Sequence, residues 1–84
     1  MKTSFIKSTK DKNNYSIAKG FGVEIVELDN PENIDKKIEE LVVKEYKTII
    51  IPNDLASFSQ DIINKYANNT NTNIVIVPIK YKNV

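Results

Sequence analysis

The chain has 84 residues, 40% of them hydrophobic and 27% charged, with a formal net charge of +1. That describes one globular domain spanning 1–84, and the length leaves no room for a second core. All twelve basic residues are lysines, set against eleven acids, and there is no histidine and no cysteine. The balance excludes binding to nucleic acid through clustered positive charge, and without arginine there is no bidentate recognition of phosphate or guanine. The two zeros remove disulfides, thiolate nucleophiles, the commonest general base and the usual zinc ligands. No metal and no cofactor is expected, and a catalytic role is not. The apolar runs stop far short of the roughly 20 residues of a membrane span. The first residues lack the apolar core of a secretory signal. The expectation is a cytoplasmic protein that does not insert into a membrane.

Taken in order, Thr3–Ser8 reads as a strand, with Phe5 and Ile6 between polar neighbours. A polar turn follows at Lys10–Asn14. Tyr15–Lys19 reads as a short helix, capped by Asn13 or Asn14. Gly20 suits the left-handed position just past its end, and Phe21 a hydrophobic contact there. Val23–Leu28 is β-branched and strand-forming. Its Glu24 and Glu27 fall on opposite faces, which suits a sheet edge.

The next helix has a natural N-cap in Asn30 and a proline at its first position, Pro31. Ile34, Ile38, Leu41 and Val42 share one helical face. Glu32–Lys36 and Glu40–Lys44 are spaced as i,i+4 pairs. Thr48–Pro52 is an unbroken apolar strand, as expected where both faces are covered. Asn53 or Asp54 then caps a third helix, with Leu55, Phe58, Ile62 and Tyr66 along one face and Asp61–Lys65 outside. Asn68–Asn73 is a polar loop, and Ile74–Pro78 carries the last strand. The tyrosines Tyr15, Tyr46 and Tyr66 read as packing residues.

The order β-α-β-α-β-α-β implies an α/β fold with a four-stranded parallel sheet, right-handed crossovers and helices on both faces. The charged second strand and the apolar third fit a strand order of 2-1-3-4, a flavodoxin-like half. Ligands of such sheets bind beyond the carboxyl ends of the strands at the switch point between strands 1 and 3. Ser8, Thr9, Lys10, Asn53 and Asp54 fall there and form a candidate anion or small-ligand site. The same residue types are what turns and helix starts require. The last strand is an apolar edge, so Ile74, Val75, Ile76, Val77, Ile79 and Tyr81 are candidate contact residues for a second copy or a protein partner.

The pattern as a whole resembles the F subunit of V-type and A-type rotary ATPases (ATP synthases). The likeness rests on Phe5–Leu28 with its Gly22-Val23-Glu24-Ile25, and on Asp29-Asn30-Pro31-Glu32. It rests further on Glu45-Tyr46-Lys47-Thr48-Ile49-Ile50-Ile51-Pro52-Asn53-Asp54-Leu55-Ala56 and on Ile74–Pro78. It implies a non-catalytic subunit of the central stalk, held against a long coiled-coil subunit. Two departures stand out. Ser8-Thr9 precedes Lys10-Asp11 where the family has Gly-Asp. The chain also ends six residues after Pro78, where the family continues into a C-terminal helix. It therefore reads as a truncated subunit or a stand-alone relative. A small anion- or ligand-binding regulatory domain is the alternative.

Overall fold

A computed structural model describes residues 2–13, 15–68 and 71–78. Its strands are β1 (Thr3–Ser8), β2 (Val23–Leu28), β3 (Thr48–Pro52) and β4 (Asn73–Val77). Its helices are α1 (Ser16–Gly20), α2 (Ile34–Val43), α3 (Asn53–Ala56) and α4 (Gln60–Tyr66). All strands are parallel and run in the order β2-β1-β3-β4. The expected architecture holds.

Alternation assigns the faces. Ser4, Ile6 and Ser8 of β1 stand in register with Glu24, Val26 and Leu28 of β2. Ser4 also stands opposite Ile49 of β3. On this side Ile6, Leu28, Ile49 and Ile51 form one buried cluster with Ile34, Ile38 and Leu41 of α2, and with Tyr46, Leu55 and Ala56. Each such isoleucine or leucine contributes about 1.5–3 kcal/mol on burial. The step from β1 to β2 runs opposite to the step from β2 to β3. Right-handed connections therefore put α1 and α2 on opposite faces. Accordingly Phe5, which faces away from Ile6, meets the ring of Tyr15 just before α1 at a centroid distance of 4.8 Å.

The helix over α2 begins as expected. Asn30 Oδ1 accepts from the Glu32 N–H at 3.0 Å. Pro31 opens a 3-10 turn, Pro31–Asn33, that runs into α2. The end of α2 closes without glycine. Glu45 N–H donates to Val42 O at 3.0 Å and Tyr46 N–H to Leu41 O at 3.1 Å. These are the two bonds of a Schellman motif. Its left-handed position is held by Glu45 at φ 65°, a conformation that costs a non-glycine residue about 1–2 kcal/mol. The motif's hydrophobic contact is Leu41 with Tyr46, both in the core.

Several local expectations are corrected. The left-handed glycine after α1 is Gly22, at φ 87°, while Gly20 is the last helical residue. Tyr15 occupies the position before α1 and gives no side-chain cap. Phe21 is 85% exposed and makes no burying contact there. The third helix is two pieces, α3 and α4, interrupted at Ser57–Ser59. The Ser59 hydroxyl donates to Asp35 Oδ1 at the start of α2, and this tertiary bond breaks the helical path. Phe58 consequently turns outward, 54% exposed. Pro52, not Asn53 or Asp54, holds the N-cap position of α3, and Asp54 sits inside the first turn, where its Oδ1 accepts from the Leu55 N–H. Glu40 pairs with Lys44 at 3.3 Å and with Lys37 at 3.6 Å. No ion pair forms at Glu32–Lys36 or Asp61–Lys65 among the described residues.

Candidate functional site

The parallel sheet has two ends, and the structure treats them differently. At the carboxyl end, β1 pairs with β2 over its full length, Thr3 to Ser8. Its register with β3 runs only from Thr3↔Thr48 to Phe5↔Ile50. Beyond that the two strands part, as expected at a topological switch point. Ser8, Thr9 and Lys10 leave β1 there, and Asn53 and Asp54 leave β3. Two of these side chains have local partners. Ser8 is buried and its Oγ accepts from the Lys10 N–H at 3.1 Å. Asp54 Oδ1 accepts from the Leu55 N–H at 2.9 Å. The topology brings the two groups to one end of the sheet, and no hydrogen bond joins them directly among the described residues.

The loop after β1 holds a residue left out of the candidate ligand set. Asp11 is 1% exposed. Its Oδ1 accepts from the Asn13 N–H at 2.9 Å and from the Asn13 side-chain amide at 2.8 Å. Its other oxygen accepts from the Tyr15 hydroxyl. Asp11 thus ties the loop to the ring that covers Phe5. A buried carboxylate is tolerable only with such bonds. The clue in the sequence was Asp-x-Asn, a spacing that permits this side-chain-to-backbone closure.

The amino end opens into a cleft of about 640 Å³ lined by Lys2, Lys44, Glu45, Lys47, Asn71 and Thr72. Backbone bonds set its floor. Lys47 N–H donates to Lys2 O at 2.9 Å, and Asn73 N–H to Lys47 O at 2.8 Å. Beside it the Lys2 ammonium lies 5.2 Å from the centroid of the Tyr46 ring. The Tyr46 hydroxyl donates to Glu24 Oε2. That bond to a carboxylate raises the Tyr46 pKa above its ordinary value of 10.0, with burial and the charge of Glu24 adding to the shift. Glu40 moves the other way. The hydrogen bond from Lys44, with the charges of Lys37 and Lys44, holds it below 4.5. Neither Lys2 nor Lys47 looked special in sequence, because residues 2, 47 and 72 meet only through the sheet.

At the side of the molecule β4 pairs with β3 alone among the described residues. The opposite edge, β2, carries Glu24 and Glu27, and Glu27 meets Lys7 at 3.5 Å. β4 carries no charge. Ile76 is 46% exposed, and Ile74, Val75 and Val77 are partly so. Ile79 and Tyr81 lie outside the described residues.

Among the described residues no group of three acids is placed to hold a metal ion. No helix among them is long and apolar enough to cross a membrane. A comparison with curated proteins finds no match. The family model described as "ATP synthase (F/14-kDa) subunit" matches residues 10–84, from the turn after β1 through the last strand and beyond. With the β2-β1-β3-β4 sheet and that match over most of its length, the chain belongs to the ATP synthase F/14-kDa subunit family.

Proposed function

We propose that this chain is a non-catalytic interaction subunit that acts by docking onto other subunits of a rotary ATPase. Family membership supports an F-subunit role. The observation that carries the docking reading is the β4 edge, which is uncharged and has Ile76 46% exposed. An edge strand without lysine, proline or a bulge is a template for pairing, and natural proteins leave one open where a partner uses it. The contact residues are Ile74, Val75, Ile76 and Val77, with Ile79 and Tyr81 as the next residues along the chain. The partner is the elongated coiled-coil stalk subunit, and the place of action is the cytoplasm. The stand-alone alternative is a homodimer through the same edge.

The test is affinity purification of the tagged chain from cells that carry it, beside the Ile76→Lys variant. Recovery of stalk subunits with the parent chain, and their loss with the variant, supports the reading. A parent chain that recovers no rotary-ATPase subunit and sediments as a monomer would sink it.

A second reading rests on the parting of β1 and β3 after Phe5 and Ile50. There Ser8, Thr9, Lys10, Asn53 and Asp54 would receive a small anion and make the domain regulatory. Alanine at Lys10 and Asn53 should then abolish ligand binding and leave subunit recovery intact.

A further inference from the structure

The carboxyl end is where ligands of parallel sheets usually sit, yet the concentration of positive charge is at the amino end. Three lysines, Lys2, Lys44 and Lys47, line one cleft against a single acid, Glu45. Lys44 is already engaged by Glu40 at 3.3 Å. Lys2 and Lys47 have no carboxylate within ion-pair distance among the described residues. The Lys2 ammonium is held over the Tyr46 ring, which orders a side chain that would otherwise lose much entropy on binding. Thr72 lines the same cleft at 6% exposure, and its hydroxyl makes no hydrogen bond among the described residues.

We propose that this cleft binds the phosphoryl group of a soluble small molecule. Two unneutralised ammonium groups match a doubly charged anion, whereas a carboxylate would neutralise only one. Lysine serves phosphate as a point charge and needs no forked geometry. The Thr72 hydroxyl supplies a donor to one phosphoryl oxygen. The volume of about 640 Å³ lies within the range of small-molecule sites and exceeds what bare phosphate fills. The proposal is independent of the docking reading, since the cleft and the β4 edge share no residue.

The experiment is a titration of the isotopically labelled full chain with inorganic phosphate, pyrophosphate and acetate at one ionic strength, read by amide chemical shifts. Phosphate and pyrophosphate are expected to give saturable shifts at Lys44, Lys47 and Thr72, with pyrophosphate tighter and acetate without saturation. Lys2→Met and Lys47→Met should each weaken binding about two- to fivefold, the range of one exposed ion pair. Lys65→Met, on α4, should leave it unchanged. Equal response to acetate and phosphate, shifts spread over every lysine, or full-strength binding by the Lys2→Met/Lys47→Met double variant would each overturn the proposal. All three substitutions fall on exposed or loop positions, and the amide spectrum itself reports whether each variant is folded.

Discussion

Replacing Tyr46 by phenylalanine removes one oxygen and nothing else. The ring stays in the core with Leu41 and Ile49, so no cavity term enters. What is lost is the hydroxyl's bond to Glu24 Oε2, a side-chain link between the segment after α2 and the outer strand β2. A hydrogen bond to a charged acceptor contributes about 1.5–3 kcal/mol when both ends are buried. Glu24 is exposed, so water takes over its carboxylate in the variant. The expected loss is therefore about 1 kcal/mol, the value for an ordinary net hydrogen bond. In a domain of this size that lowers the melting temperature by about 4–8 °C. Urea denaturation should show a lower midpoint and an unchanged slope, because the surface exposed on unfolding does not change. A double-mutant cycle with Glu24→Gln should return most of that energy as coupling. A Tyr46→Phe variant within about 0.3 kcal/mol of the parent, smaller than any ordinary net hydrogen bond, would refute the reasoning. So would strict additivity in the cycle.

The same bond has a pH signature. Folding raises the Tyr46 pKa above 10.0, so its stabilisation is complete below that unfolded-state value and disappears as pH rises through the folded one. The parent should lose stability more steeply than Tyr46→Phe above pH 10.0, in urea melts compared at matched ionic strength. Glu40 behaves oppositely. Its lowered pKa gives a contribution present above 4.5 and lost as pH falls through the folded value, so Glu40→Gln should flatten the acid limb. Glu45→Gly relieves the left-handed backbone at φ 65° and should stabilise by about 1 kcal/mol in thermal melts. A loss of stability there would mean the Glu45 side chain matters more than its backbone. Ser4 is fully buried and its Oγ has no hydrogen-bond partner among the described residues. Ser4→Ala should be neutral or stabilising by about 1 kcal/mol, because it removes an uncompensated hydroxyl. A destabilisation beyond about 1 kcal/mol would indicate that the hydroxyl has a partner in solution.

The parts of the fold written in local pattern could be read directly. The apolar pair Phe5-Ile6 of β1, the β-branched run of β2, the Asn30-Pro31 start and the apolar run Thr48–Pro52 each declare themselves within a few residues. What resisted reading depends on partners distant in the chain. The helical period continues from Leu55 to Tyr66, but at the break Phe58 and Ser59 make tight turn bonds to Leu55 and Ala56 and Ser59 bonds to Asp35, far away in sequence. The stop after α2 was hidden because Glu45 does a glycine's work. The position of Ser8, Thr9, Lys10, Asn53 and Asp54 at the carboxyl end could be read because the topology dictates where that end lies. The lysine cleft was missed because its residues come from three separate segments. Glu24 looked like a charge that merely guards an edge, and Tyr46 like a packing ring. The two are one interaction.

The position of β1 also sets a timetable. It is made before both of its neighbours yet ends in the middle of the sheet, flanked by strands that begin at Val23 and Thr48. Until residue 52 has emerged, Ser4, Ile6 and their neighbours lack one side of their backbone pairing and most of their cover. The nascent amino-terminal half is therefore a two-stranded parallel ribbon, which is not stable alone. Folding must wait for β3, and the isoleucine-rich centre stays exposed to chaperones and to other chains until Thr48–Pro52 has been made.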